Sequence, residues 1–191
     1  MKIILASTSA YRRMLLERLQ LPFEVARPEV DETPLPDELP PTTAERLAVE
    51  KARAVGAGLR DALVIGSDQV AHIGSETFGK PGTVERAIDQ LRRMSGKTVM
   101  FHTALAVLNT RSGEIRTEAA PTRVQFRVLS DDEIVRYVEK ERPLDCAGSA
   151  KSEALGITLL DSLSGDDPTA LVGLPLIALS RMLRAEGVVL P

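Results

Sequence analysis

Residues 62–73, ALVIGSDQVAHI, constrain the fold more than any other stretch. An apolar, β-branched run of this kind reads as a central strand. It turns abruptly polar at Ser67, Asp68 and Gln69, so Asp68 falls where the strand is expected to run out. Open α/β sheets bind ligands at such strand ends. A carboxylate there can hold a divalent ion or take a proton from water. The plain alternative is an aspartate that only forms a turn or caps a helix.

The rest of the chain supplies partners for that strand. KIILA (2–6) reads as a second buried strand, followed by a helix over about 10–19 with Ser9 as N-cap. FEVAR is a short strand, and PEVDETPLPDELPP is a Pro-rich acidic loop. Loops of this length in compact domains tend to be functional or disordered. Thr43 is expected to cap a helix over 43–58, GKPG (79–82) to form a turn, and a helix to cover 83–94. KTVMFHTALAVLNT and EIRTEAAPTRVQFRVL, joined near Gly113, read as a long β-hairpin. Ser130 caps a helix, GITLLDSL is a strand, and Asp167-Pro168 opens a last helical region. The pattern is α/β with a mixed sheet in one domain over residues 1–191.

Composition narrows the function. Net charge is −3 and no basic tract occurs, which argues against polymeric nucleic acid. No apolar run approaches the ~20 residues of a membrane span, and no signal-like leader is evident. The one cysteine, Cys146, excludes an internal disulfide framework and fits a reducing, cytoplasmic setting.

Three stretches carry candidate chemistry. In ASTSAYRR (6–13), a strand feeds a helix N-terminus, which presents free N–H groups to an anion. Arg12 or Arg13 can add a guanidinium fork to phosphate; a capped helix with two surface arginines is the plain alternative. In VDET (30–33), Asp31 or Glu32 can share an ion with Asp68. Lys51 in a helix and Lys80 in a turn add cations. Together, cations (Arg12, Lys51, Lys80), carboxylates (Glu32, Asp68) and a helix N-terminus suit phosphoanhydride chemistry, with a divalent ion neutralising charge and a carboxylate orienting water.

Some motifs are decoys. SGKT (95–98) lacks the P-loop glycine, since position 91 is Leu, and it runs from helix to strand. His72 and His102 are the only histidines, too few for a three-His zinc site. Cys146 reads as a packed thiol.

LASTSAYRRMLL, VDET, EKA, IGSDQV, GKP, HTALAV, DCAGSAKSEALG and DPTALVGLPL occur in an order that resembles the Maf family of nucleoside triphosphate pyrophosphatases, over residues 3 to about 187. The match is nearest to the YceF-type branch, associated with 7-methyl-GTP. The branch acting on dTTP and UTP has ADT where this chain has SDQ. The resemblance implies a Maf/ITPase-like mixed sheet flanked by helices, elongated in two lobes with a central cleft. It implies hydrolysis between the α- and β-phosphates with Mg²⁺, Mn²⁺ or Co²⁺, and a homodimer. It matches Asp68 to the proton acceptor, and Ser7, Arg12, Glu32, Lys51 and Lys80 to other functional positions. Tyr11, Gln69 and Glu153 match positions for base selection. A stacked Tyr11 would favour the cationic 7-methylguanine through cation–π attraction. The Glu153 carboxylate would accept from guanine N1–H and N2–H. Two rival readings are a dTTP/UTP or broad-range enzyme, and a nucleotide-binding regulator of septum formation.

Overall fold

The computed structural model describes residues 1–191 and joins seven strands into one mixed sheet. They are β1 (Lys2–Ala6), β2 (Glu24–Ala26), β3 (Ala62–Ile73), β4 (Glu76–Phe78), β5 (Thr98–Asn109), β6 (Ile115–Phe126) and β7 (Leu160–Ser164). The order is β2-β1-β3-β5-β6-β7, with β4 also on β3. β2, β1 and β3 run parallel, and the other pairings are antiparallel. The helices are α1 (Ala10–Glu17), α2 (Pro40–Gly56), α3 (Val84–Met94), α4 (Asp131–Glu141) and α5 (Leu176–Ala185).

The central strand does not end at its polar residues. β3 continues to Ile73, and its whole middle pairs with β5. What ends is its other neighbour. β1 pairs with Ala62–Gly66 and β4 with Ala71–Ile73, so Ser67–Val70 face an open gap on that edge. Asp68 therefore occupies a rigid mid-strand position beside a notch, rather than a fraying strand end.

Side chains alternate across β3. Even-numbered residues face α2, where Ala62 and Val64 pack with Ala44, Ala48 and Ala52. Odd-numbered residues face the opposite side, which carries two separate cores. Leu63 and Ile65 pack with α1 and α5 residues such as Leu15 and Leu179. Ala71 packs with α3 and α4 residues such as Leu91 and Ile134, around fully buried Phe78 and Phe126. These two apolar clusters lie at opposite ends of β3. The polar Ser67, Gln69 and Thr103 lie on the same face between them.

Several local expectations shift. α2 starts three residues before Thr43, at Pro40, because Pro at a helix start already has the required φ and no N–H to satisfy. Thr43 is not the cap; its hydroxyl donates to Glu38 Oε2 at 2.9 Å. GITLLDSL splits into a 3-10 turn (Leu155–Leu159) and β7. The second strand shortens to Glu24–Ala26. GKPG is an irregular link without its own turn bond, tied instead by Gly82 N to Leu144 O at 3.0 Å. The Ser130 capping box and the Ser9 cap form as expected. Asp167 does serve the last helix, accepting from Ile177 N at 2.7 Å across the intervening loop.

Candidate active site

A cleft of about 800 Å³ opens at the notch beside β3. Its lining includes Ser7, Tyr11, Arg12, Glu32, Lys51, Asp68, Gln69, Lys80 and Glu153, and of the acidic alternatives in VDET it takes Glu32 and not Asp31. Arg13 does not line it; it is exposed and paired with Glu17 on the outer side of α1. The two arginines do not both enter, since adjacent helix residues point about 100° apart.

On the α2 side of β3 the chemistry is ionic. Gly66 lets α2 approach closely: a Cβ there would lie 2.1 Å from Ala48 O. That contact brings Lys51 against the strand. Lys51 is 4% exposed and Asp68 8% exposed, and Lys51 Nζ donates to Asp68 Oδ1 at 2.6 Å. The same ammonium lies 2.6 Å from Glu32 Oε1. Burial pushes the Glu32 carboxyl pKa up, but Lys51, Lys80 and Arg12 outweigh it and hold it below the ordinary value. Asp68 Oδ2 and Glu32 Oε2 accept no hydrogen bond.

A hard divalent cation is often held by one or two carboxylates plus phosphate oxygens and water. The chain has no cluster of three or more His, Cys, Asp or Glu suited to an ion. The pair Glu32 and Asp68, each with one uncommitted oxygen, fits an ion that arrives with a phosphate substrate.

On the opposite face of β3 the chemistry is neutral. Ser67 Oγ lies 2.8 Å from Ala104 O and 3.0 Å from Gly173 O. Gln69 Nε2 faces Thr103 Oγ1, Ala170 O and Leu171 O at 2.9–3.0 Å, which fixes the amide orientation and leaves Oε1 uncommitted. Gly173 adopts φ +118°, a conformation that favours glycine, and its carbonyl also accepts from Arg12 Nε at 2.9 Å. Ser7 Oγ lies 3.5 Å from Arg12 Nη1 and accepts from Ser9 N at 3.1 Å. Burial lowers the Arg12 guanidinium pKa, against the opposing pull of Asp68 and Glu32. The helix start, Arg12 and the Asp68 group thus face one space.

The cleft wall also includes Tyr11, Asp145, Cys146 and Glu153. Tyr11 Oη donates to Asp145 Oδ1 at 3.1 Å, and Lys151 Nζ sits 5.8 Å from the ring centroid. One side of the ring therefore already has a cation from this chain. Glu153 is exposed and makes no ion pair or hydrogen bond. Cys146 is half-buried on the cleft wall, and burial pushes its thiol pKa up to about 12, with Asp145 next in effect. Sequence reasoning missed Arg27, Asp145 and Gly173, all on the cleft wall. Arg27 carries no ion pair, and its only sequence signal is its place at the end of β2.

Comparison with known proteins agrees with this geometry. A family model described as Maf-like protein matches residues 2–186. The chain is 78% identical over 190 residues to a protein of Aromatoleum aromaticum named 7-methyl-GTP pyrophosphatase, covering 100% of this chain and 98% of the relative. Proteins of the same name from Thiobacillus denitrificans and Polaromonas are 59% and 60% identical. These cover 97% and 98% of this chain, and 92% and 86% of the relatives.

Proposed function

The chain belongs to the Maf family, and on that premise we propose that it hydrolyses the α–β phosphoanhydride of 7-methyl-GTP, giving 7-methyl-GMP and pyrophosphate. The observation that carries the reading is the convergence of Asp68, Lys51 and Glu32 with Arg12 in one cleft that Tyr11 and Glu153 also line. Relatives that cover nearly the whole chain bear that enzyme's name.

In this proposal Arg12, Lys80 and Ser7, with the N–H groups at the start of α1, bind the triphosphate. Lys51 holds Asp68 and Glu32 in place and helps keep the Glu32 carboxyl below its ordinary pKa. Asp68 Oδ2 accepts the proton of the attacking water as its oxygen bonds to phosphorus and the anhydride bond breaks. In the alternative role for Asp68, it would with Glu32 hold a divalent cation, Mg²⁺, Mn²⁺ or Co²⁺, which would neutralise charge on the phosphates; Asp68 has one uncommitted oxygen, so the two roles compete for it. Tyr11, Gln69 Oε1 and Glu153 select the base. Two uncommitted acceptors suit guanine N1–H and N2–H, and the carboxylates on the cleft wall suit a cationic ring.

We also propose a cytoplasmic homodimer. No helix is long and apolar enough to cross a membrane. The single cysteine fits a reducing compartment, and the dimer rests on family resemblance. Light scattering at micromolar concentration tests it, and a monomer refutes it.

The deciding experiment is pyrophosphate release from 7-methyl-GTP, GTP, dTTP, UTP and other nucleotides, with each metal in turn. The reading expects 7-methyl-GTP to have the highest kcat/KM. A higher value for dTTP or UTP makes the chain the rival enzyme. Tight nucleotide binding without pyrophosphate release makes it a nucleotide-binding regulator.

A further inference from the structure

Glu32 comes from an acidic loop without regular structure, yet it must meet two residues of a rigid helix and strand. Its own side chain is 58% exposed, and Lys51 is its only partner. Something else has to hold the loop.

The hold lies five residues before Lys51 on α2. Arg46 Nε donates to Glu38 Oε1 at 2.7 Å, and Arg46 Nη2 donates to Glu38 Oε2 at 2.8 Å. This is a bidentate fork, with side-chain exposures of 19% and 6%. Nη2 also donates to Thr33 O at 3.2 Å, directly after Glu32. Nη1 donates to Glu50 Oε2 at 3.1 Å, which fixes the guanidinium along the helix. Glu38 Oε2 accepts in addition from Leu35 N at 3.0 Å and Thr43 Oγ1 at 2.9 Å. On the other side of Glu32, Asp31 Oδ1 accepts from Thr33 N at 2.9 Å and closes a local turn. Three of the four donor contacts from this guanidinium therefore tie both ends of segment 33–38 to the helix that carries Lys51, and the fourth, to Glu50, stays within α2.

We propose that Arg46 is a positioning residue: with Glu38 it clamps the acidic loop onto α2 so that Glu32 stays within reach of Lys51 and Asp68. It touches no substrate in this arrangement; it acts through Glu32. The kinetic consequence rests on the pyrophosphatase reading, but the clamp itself does not. A lysine cannot replace the arginine, because an ammonium lacks the planar fork that meets a carboxylate and a backbone carbonyl at once.

The test compares Arg46→Gln, Arg46→Lys, Glu38→Gln, Glu32→Gln and the double variant Glu32→Gln/Arg46→Gln. Amide hydrogen exchange of the nucleotide-free proteins is the first readout. The clamp predicts faster exchange over residues 32–39 in Arg46→Gln and Arg46→Lys, with β3 and β5 unchanged. Steady-state kinetics is the second. Arg46→Gln is expected to lower kcat on the order of 10- to 100-fold, as misplaced catalytic groups do, with a smaller change in KM. The double variant should be no slower than Glu32→Gln alone. Unchanged exchange in the loop overturns the clamp, and multiplicative losses in the double variant overturn action through Glu32. If Arg46→Gln does not fold, Glu38→Gln, which keeps the shape of the partner, must show the same loop exchange or the proposal fails. A wild-type protein that releases no pyrophosphate refutes the enzymatic reading, while loop exchange still decides on the clamp.

Discussion

The two faces of β3 at residues 67–69 differ sharply. On one, Asp68 meets Lys51 and Glu32 in a buried ionic group with spare carboxylate oxygens. On the other, Ser67 and Gln69 give their donors to backbone carbonyls of residues 104 and 170–173. The ionic face is suited to do chemistry on phosphate. The neutral face is suited to hold geometry: it anchors Gly173, and Gly173 anchors Arg12. Alternation along a single strand lets one tripeptide serve both purposes, and the open gap between β1 and β4 exposes both to one cleft.

The contrast is broken most severely on the ionic face. Asp68→Asn removes the proposed proton acceptor while Lys51 keeps Glu32 as a partner. A fall in kcat of about 10²–10⁴-fold is expected, the usual worth of a general base. The circular dichroism spectrum and melting temperature should stay near wild type. Near-normal turnover would remove Asp68 from its role.

Changes to the base-selecting residues should alter selectivity rather than rate. Tyr11→Ala and Glu153→Gln are each expected to lower the ratio of kcat/KM for 7-methyl-GTP over GTP by about 5- to 30-fold, corresponding to about 1–2 kcal/mol of cation–π or charge-assisted contact. Competition assays with both nucleotides in one tube measure the ratio directly. An unchanged ratio in both variants would mean that the base is read elsewhere, with Asp145 and Gln69 as the remaining wall.

On the neutral face, Ser67→Ala should cost stability instead of chemistry. It leaves Ala104 O without its side-chain donor and loosens Gly173, for about 1–2 kcal/mol in a urea titration. KM should rise modestly through Arg12, with kcat near wild type. A kcat loss as deep as that of Asp68→Asn would erase the distinction between the faces.

The smallest effect concerns pH. Arg46 leads the interactions that hold the Glu38 carboxyl at about 2, against an ordinary 4.5. A depressed carboxylate pKa contributes stability that is complete above pH 4.5 and is lost as pH falls toward 2. Loop exchange over 32–39, corrected for intrinsic rates, should therefore stay constant from pH 7 to 5 and rise below that. A loop that loosens already between pH 7 and 6 would point to a different hold.

Much of the site is legible in the residues themselves. The strand–helix boundary at Ser9, the polar break at Asp68, and the lysines and carboxylates nearby mark phosphate chemistry because few other functions need that mixture. The motifs' order marks the family. Residue types and local spacing carry these signals, since capping, periodicity and charge act over a few positions.

Other features depend on residues far apart in the chain. Whether Asp68 ends a strand or sits beside a gap depends on where β1 and β4 stop, more than 60 residues from β1 and across a tight turn from β4. That Lys51 bridges two carboxylates depends on the close approach of α2 at Gly66. That Arg12 enters the cleft and Arg13 does not depends on the carbonyl of Gly173, 161 positions away. The sequence by itself determined the chemistry available and the family; the tertiary structure decided which groups meet, because hydrogen bonds and ion pairs act within about 3 Å and only folding brings such distant residues that close.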